Sequence, residues 1–521
     1  MMALEIIRRI RDNLHGSISV TAIEDKVIAH PFFQRLRRIR QTAFLSFVFP
    51  GATHTRFEHS LGVMHLAGVA WESLQANQKR LAQATKRYED FSVKEMGTGH
   101  AGSHGLLSPT FPTIDPIFSS DYTFQVFRLA ALTHDLGHPP FSHSGERFLP
   151  SLKAVIDQNL DVSPYLLDYL QSMAESWLAS GKDPGREPVR HEVFTYLLVD
   201  RMLAEIYQMN PDLSLKVPSQ DVLAVLTGEI KPVAGSDLYH HDVYKLCNEL
   251  VSGEFDIDRM DYLQRDSKEC GVVYGIFDAD RILDSLCYYF DKTEQRLHLA
   301  IQYSGLAAFE DYLRARQSMY VQLYFHKTSV AAEAMMQSLA KKLGGWSLPA
   351  YWQDYAKVDE FNVGTRLIAA SQDMIGDAGE RAVFEATLDN ALYHRRLWKR
   401  IFELTGPSNA IRLSPEILKA KKKTEELGLA TEQVSSTSYL TRFQPRQRDE
   451  ASKNYLRLIK KDVMQFPRVE PLEDHTRLIS EQNMVHISRL YVDVNQSKKN
   501  DPSIETKLMK AVTEALHEPK G

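Results

Sequence analysis

Apolar residues recur along most of this chain at intervals of three and four, the spacing of an amphipathic helix. After His59, the residues Leu61, Met64, Ala67, Val69 and Trp71 continue such a face toward Leu81. Phe124, Phe127, Ala131 and His134 predict a second helix. Pro139-Pro140 ends or kinks it, since proline lacks an N–H and restricts the residue before it. Leu306 to Leu343 predicts one long helix. Strand-like alternation is confined to short stretches, Arg296 to Tyr303 and Val485 to Val494, the latter followed by a turn-like Asn495 to Pro502. Phe91 to Asp121, rich in Gly, Ser, Thr, Pro and His, is expected to be a long surface loop serving as a lid or oligomer contact, with His100 and His104 solvated. A second polar insertion, Ser180 to Glu187, precedes a helix beginning near Val189. The expected fold is mainly α with short β elements: a core over residues 1–350, with insertions at about 91–121 and 180–187, and a smaller mixed α/β region over 351–521 with an oligomerisation or regulatory role.

Composition narrows the class. At 521 residues the chain exceeds one typical domain, and 43% hydrophobic with 25% charged residues describes an ordinary globular protein. The net charge of −5 gives no basic field for nucleic acid or an anionic membrane, so anions must be bound by local clusters. Lys419 to Thr424 is such a basic run, best read as a solvated helix face or loop. Cys247, Cys270 and Cys287 form neither CxxC spacing nor an even disulfide framework. Met1 to Arg11 is a short amphipathic stretch without the apolar run of a signal peptide, and no segment is apolar enough to span a bilayer. The expectation is a cytoplasmic protein without a membrane partner.

Candidate chemistry centres on His134-Asp135 within Ala-Leu-Thr-His-Asp-Leu-Gly-His-Pro-Pro-Phe-Ser-His. Thr55-Arg56-Phe57-Glu58-His59 precedes it, and Asp256-Ile257-Asp258-Arg259-Met260-Asp261-Tyr262 follows. Adjacent helical residues point about 100° apart, but both reach one ion if the helix ends there. His59 and Asp258 would complete a set of two imidazoles and two carboxylates, which suits a divalent ion (Mn, Fe, Zn or Mg) and leaves positions open for water and substrate. Spacing alone leaves hydrogen-bonded core histidines an equally good explanation.

At these residues the chain resembles the HD-domain metal-dependent phosphohydrolases, and within them the deoxynucleoside triphosphate triphosphohydrolases. The resemblance rests on Phe33 to Gln41, on Val48 to Val63, on His134-Asp135-Leu136-Gly137-His138, on His191-Glu192, on Asp256 to Asp266 and on Tyr324-Phe325-His326-Lys327. It covers roughly the first 350 residues in family order. It implies an HD-domain helical core with His59, His134, Asp135 and Asp258 as metal ligands. His138 would lie near the α-phosphate, His191 would protonate the leaving oxygen, and Glu192 would orient His191 or tune its pKa. Arg56, Arg259, Arg316 and Lys327 would bind phosphate, with Arg259 standing where the animal enzyme has lysine. Gln41, Tyr262 and Asp266 would contact the deoxyribose, and Tyr324 would exclude a 2′-hydroxyl. Thr42 replaces a larger apolar residue beside the base.

The implied reaction is hydrolysis of a deoxynucleoside triphosphate to deoxynucleoside and inorganic triphosphate, with a second Mg accompanying the nucleotide. The resemblance also implies a homo-oligomer and admits a nucleotide activator. Two alternatives stay open: an HD-type phosphohydrolase of a monophosphate, modified or cyclic nucleotide, and a nucleotide-sensing or nucleic-acid-binding HD protein. The second would want exposed aromatics interleaved with Lys and Arg. Neither Arg8, Arg9 and Arg11 nor Lys419, Lys421, Lys422 and Lys423 are so interleaved.

Overall fold

The computed structural model describes residues 4–96, 120–253, 255–291, 294–406, 411, 413–439, 456–461, 467–476, 478, 484–495 and 501–517. A hairpin of β1 (Ile6–Asp12) and β2 (Gly16–Thr21) leads into α1 (Ala22–Ala29) and α2 (Pro31–Gln34). The spine is α3 (Arg56–Met96), followed by α4 (Asp121–Thr133), α5 (Leu152–Gln158), α6 (Pro164–Ala179), α7 (His191–Met209), α8 (Ser219–Thr227) and α9 (Val243–Ser252). Then come α10 (Ile257–Glu269), α11 (Ala279–Leu283), the hairpin β3 (Leu286–Asp291) and β4 (Arg296–Gln302), α12 (Leu306–Met319) and α13 (Lys327–Lys342). The chain continues through α14 (Trp352–Tyr355), α15 (Val363–Met374), α16 (Ala378–Leu392), β5 (Lys399–Gly406), α17 (Pro415–Glu426), β6 (Thr431–Tyr439), β7 (Arg457–Lys461), β8 (Pro467–Pro471), β9 (Met484–Val492) and α18 (Ile504–His517). This is a mainly helical core with short strands in small sheets, as the apolar periodicity predicts.

One continuous core packs α3 against α4 and α10. Leu61, Met64 and Trp71 meet Phe127, Leu129 and Leu263 there, all essentially buried. Fully burying side chains of this size contributes roughly 1.5–3 kcal/mol each. Two glycines of α3 are needed for that approach. A Cβ at Gly62 would fall 1.9 Å from Asp261 Oδ1, and one at Gly68 would fall 2.8 Å from Arg128 Nη1.

Strand pairing and core packing both cross residue 350. β4 pairs in parallel with β7, giving the sheet order β3-β4-β7-β8, so strands from both parts of the chain share one sheet. Leu456, Leu458 and Leu472 belong to the same core as Leu61. β5, β9 and β6 form a separate antiparallel sheet, covered by α17 and α18 through Leu490, Val492, Ala420 and Leu508.

Two expectations change. The stretch 306–343 is not one helix: α12 passes into a π-helical turn at Tyr320–Tyr324, and α13 starts afresh at Lys327. His326 is the cause. Its backbone is extended, at φ −61 and ψ 128, and its ring accepts a hydrogen bond from Thr328 N at 3.3 Å, making it the N-cap of a new helix. Of the expected loop from Phe91, residues 91–96 are the end of α3, which runs through Met96. Residues 97–119, with His100 and His104, lie outside the described residues, as do 496–500 of the expected turn. The amphipathic N-terminal stretch contributes strand β1. Arg296 to Tyr303 and Val485 to Val494 supply β4 and β9, and the basic run lies on α17. Among the described residues, no helix is long and apolar enough to cross a membrane.

Candidate metal centre and cavity

His134 sits at the C-cap of α4, where the helix ends in the turn Asp135–His138. Its Nδ1 lies 2.8 Å from the carbonyl of Ala131. A carbonyl only accepts, so Nδ1 carries the proton and the Nε2 lone pair faces inward. His59, on the first turn of α3, is fully buried and donates through Nδ1 to Asp261 Oδ2 at 2.8 Å. Its Nε2 also faces inward. Both Nε2 atoms are buried and lack a hydrogen-bond partner.

The two carboxylates close on the same point. His59 Nε2 lies 3.0 Å from Asp258 Oδ1 and 3.5 Å from Asp135 Oδ2. His134 Nε2 is 3.5 Å from both Asp135 Oδ1 and Asp258 Oδ1. His59, His134 and Asp135 meet the spacing of a metal-binding group. Burial alone would lower the His59 imidazole, but Asp258 and Asp261 overcome it and push it up to about 10, so a cation taking Nε2 would displace a proton held there by Asp258. Burial likewise opposes charge on Asp135, yet Arg56, His134 and His138 hold it well below the usual carboxylate range. Buried orphan nitrogens facing ionised carboxylates form a donor set that a divalent cation fits.

The turn after the pair is clamped from three sides. Arg35, fully buried, donates from Nη2 to the His138 carbonyl at 2.8 Å and from Nε to that of Val358 at 2.6 Å. Tyr355 donates to the Gly137 carbonyl at 2.7 Å. The third side is α7, which comes so close that a Cβ at Gly137 would lie 2.2 Å from Thr195 N and 2.3 Å from His191 O. Beyond Pro140, Phe141 and Ser142 both adopt left-handed backbone, at φ 64 and φ 51. That strain aims Ser142 Oγ, which donates to the Arg40 carbonyl at 2.7 Å and accepts from Arg56 Nε at 3.0 Å. Arg56 also pairs with Asp135.

His191 opens α7, and its ring stacks on His138 with centroids 3.5 Å apart. Its Nδ1 lies 2.5 Å from Glu146 Oε1 but 3.5 Å from Glu192 Oε2. The carboxylate within hydrogen-bond distance is therefore that of Glu146, with the sequence neighbour Glu192 farther off. Burial would raise the Glu146 carboxyl, but His143 and His191 hold it far below its usual range. Burial, reinforced by Arg56 and His191 against the pull of Asp135, keeps His138 well below the usual imidazole range and hence neutral.

These groups line a cavity of about 560 Å³, the size of a small-molecule site. Gln41, Arg56, His134, Asp135, His138, His191, Glu192, Asp258, Arg259, Tyr262, Asp266 and Tyr324 all reach its wall, with His59 buried beneath. Arg316 and Lys327 do not. Arg316 is buried with its guanidinium 5.5 Å from the Tyr320 ring centroid, and Lys327 is exposed where α13 begins. Asp266 Oδ1 lies 2.6 Å from His54 Nε2, and its Oδ2 accepts from the Tyr324 hydroxyl at 2.6 Å. Gln41 Oε1 is buried without a partner. Arg259 is held against Asp256 and the Gly253 carbonyl. Glu333 of α13 also lines the wall, and burial pushes its carboxyl up to about 7 against the pull of Arg147 and Arg489.

Sequence reasoning missed Glu146, Arg35, Arg190 and Glu333, and gave Asp261 no role. Arg190 is an exposed cation on the cavity wall, one residue before α7. Asp261 had a signal: it lies three residues after Asp258 and four before Arg265, on one face of a helix. Glu146 had none, because only the three-dimensional turn after Pro140 brings it to His191.

No protein-family model matches the chain. YwfO of Bacillus subtilis is 30% identical over 314 residues, 59% of this chain and 49% of that protein. The human deoxynucleoside triphosphate triphosphohydrolase SAMHD1 is 26% identical over 339 residues, 64% of this chain and 44% of that protein. The chain thus matches about half the length of these curated relatives. A crystal structure of a hypothetical protein from Aquifex aeolicus superposes with a TM-score of 0.60 at 22% identity, covering 98% of this chain and 100% of that one. A phosphohydrolase from Bacteroides thetaiotaomicron gives 0.56 at 22% identity, covering 93% and 99%. The chain has an HD-type metal-binding helical fold related to SAMHD1-like proteins.

Proposed function

We propose that this chain hydrolyses deoxynucleoside triphosphates to deoxynucleoside and inorganic triphosphate. The observation that carries the reading is the His191–Glu146 pair, stacked on neutral His138 in the cavity that His134 Nε2 also lines, with the second orphaned Nε2, that of His59, buried beneath it. A divalent cation held by His59, His134, Asp135 and Asp258 would supply charge neutralisation and Lewis acidity at a phosphoryl oxygen.

The remaining chemistry belongs to side chains. Glu146 keeps the Nδ1 proton of His191, so Nε2 is the atom that delivers a proton to the departing 5′-oxygen as water adds at the α-phosphorus. His138, neutral and stacked on that ring, donates a hydrogen bond to an α-phosphate oxygen. Arg56 and Arg259 offset phosphate charge, and both are anchored by carboxylates before substrate arrives, so little ordering is left to do on binding. Gln41 Oε1, buried and unpaired, accepts the one proton of the 3′-hydroxyl, with Asp266 beside it. Tyr324, tied to Asp266, is held rigidly enough to reject a 2′-hydroxyl by its bulk. Tyr262, whose hydroxyl lies 3.2 Å from that of Tyr320, packs beside the sugar.

A second reading, a nucleotide with fewer phosphates, is favoured by Arg316 and Lys327 standing off the cavity wall. Arg190 restores a third cation and keeps a triphosphate ahead. A nucleic-acid-binding role gains nothing from the basic run, whose Lys421 and Lys423 pair with Glu425 and Glu426 on their own helix.

The test is a product assay with each of the four deoxynucleoside triphosphates and ATP, in Mn and in Mg, singly and mixed, with His134→Ala as control. Deoxynucleoside plus intact triphosphate, lost in the control, is the expected outcome. Turnover of monophosphates or cyclic dinucleotides instead, with no triphosphate released from any mixture, would overturn the reading.

A further inference from the structure

Asp261 belongs to no step described above, yet it is completely buried and touches a residue assigned to the metal. Its Oδ2 accepts the Nδ1 proton of His59 at 2.8 Å, and its Oδ1 lies 2.6 Å from His15 Nε2. Arg265, one turn further along α10, donates to both oxygens, from Nε at 2.8 Å and from Nη2 at 2.9 Å. Gly62 makes room for this carboxylate, since any side chain there would overlap it.

His15 comes from the tip of the β1–β2 hairpin and is shaped for the contact. Asp12 Oδ1 accepts from the backbone N–H groups of Leu14 and His15, at 2.9 and 2.8 Å, which folds the turn that carries the imidazole. Asp12 Oδ2 then accepts from Arg265 Nη1 at 2.9 Å. The result is a closed circuit from Asp12 through Arg265 and Asp261 to His15.

We propose that His15 and Asp261 are positioning residues for the metal ligand His59, so that the N-terminal hairpin is a working part of the metal centre. The inference rests on the reading of His59 as a ligand. Imidazole offers a lone pair on one nitrogen only when the proton is fixed on the other. Asp261 fixes it on Nδ1, and so turns the Nε2 lone pair toward Asp135 and Asp258. A carboxylate contacted by His59 alone could rotate about its own bond. The His15 and Arg265 contacts hold its plane, and with it the plane of the His59 ring. Loss of such an outer partner typically weakens a metal site 10- to 100-fold.

The experiment measures Mn and Co affinity of the full chain by competition with a chelating dye, together with the visible absorption of the Co form. It compares the parent with His15→Gln, His15→Asn, Asp261→Asn, His134→Ala and the hairpin-surface control Arg8→Ala. Glutamine places an N–H near the position of imidazole Nε2, whereas asparagine falls short. The expected result is parent-like affinity for His15→Gln and Arg8→Ala, with roughly 10-fold or greater weakening and an altered Co spectrum for His15→Asn and Asp261→Asn. Equal affinity in His15→Asn and His15→Gln, whether both parent-like or both weakened, overturns the proposal. Undiminished affinity in His134→Ala would overturn the metal reading itself, and this inference with it.

Discussion

Glu333→Gln should make the protein more stable at pH 8 and change little at pH 5. Glu333 is half-buried on the cavity wall, and burial carries its carboxyl from the ordinary 4.5 to about 7 despite Arg147 and Arg489. Between those pH values the folded chain keeps a proton that the unfolded chain releases, so stability falls as pH rises through the window. Above pH 7 the folded protein carries the anion and bears the whole cost. At about 1.36 kcal/mol per pH unit this is at most about 3.4 kcal/mol. Because the side chain faces an open cavity, solvent screening reduces it to about 2 kcal/mol. Glutamine keeps the shape and loses the titration. Urea unfolding of both proteins at fixed metal concentration, at pH 5, 6, 7 and 8, gives the difference directly. A stability gap that stays constant across the series, or a parent that is the more stable protein at pH 8, would refute the reasoning.

Glu146→Gln should lower kcat about 100-fold while metal content stays unchanged, read by steady-state kinetics and metal analysis; an unaltered rate would return the orienting role to Glu192. Gly137→Ala places a methyl against backbone atoms of α7 that no rotamer change can move aside. We expect about 3 kcal/mol or more of destabilisation in urea and at least a 100-fold loss of rate, since His191 must shift with its helix. Chelation should lower the thermal midpoint by several degrees, because Asp135 and Asp258 then face each other without a cation. Restoring Mn should reverse it, and a midpoint insensitive to both additions would count against the site.

The helical class was legible because buried faces repeat every three to four residues over long stretches, and nothing about α3 or α4 needs distant information. The metal group was legible for a different reason: His134-Asp135 sits at a helix end announced by Leu-Gly-His-Pro-Pro. What stayed hidden depends on contacts between distant segments. Glu146 reaches His191 only through the strained turn at Phe141-Ser142. Asp261 looks like one charge among many on α10 until His15 and His59 close on it from either side. The break at His326 was invisible because the apolar pattern runs unchanged through a π turn, in which one extra residue is absorbed without changing composition. The pairing of β4 with β7 across residue 350 was hidden for a topological reason, since the two strands lie roughly 150 residues apart in the chain.

That pairing has a consequence for synthesis. Roughly 150 residues separate β4 from β7, its parallel neighbour. At 5–20 residues per second a ribosome needs about 8–30 s to make the intervening chain. Throughout that interval one edge of β4 presents unpaired backbone groups, the template on which foreign strands dock. The nascent chain is therefore most exposed to aggregation after the residues of the candidate metal centre have already been made, and a version cut at residue 350 would keep that bare edge for good.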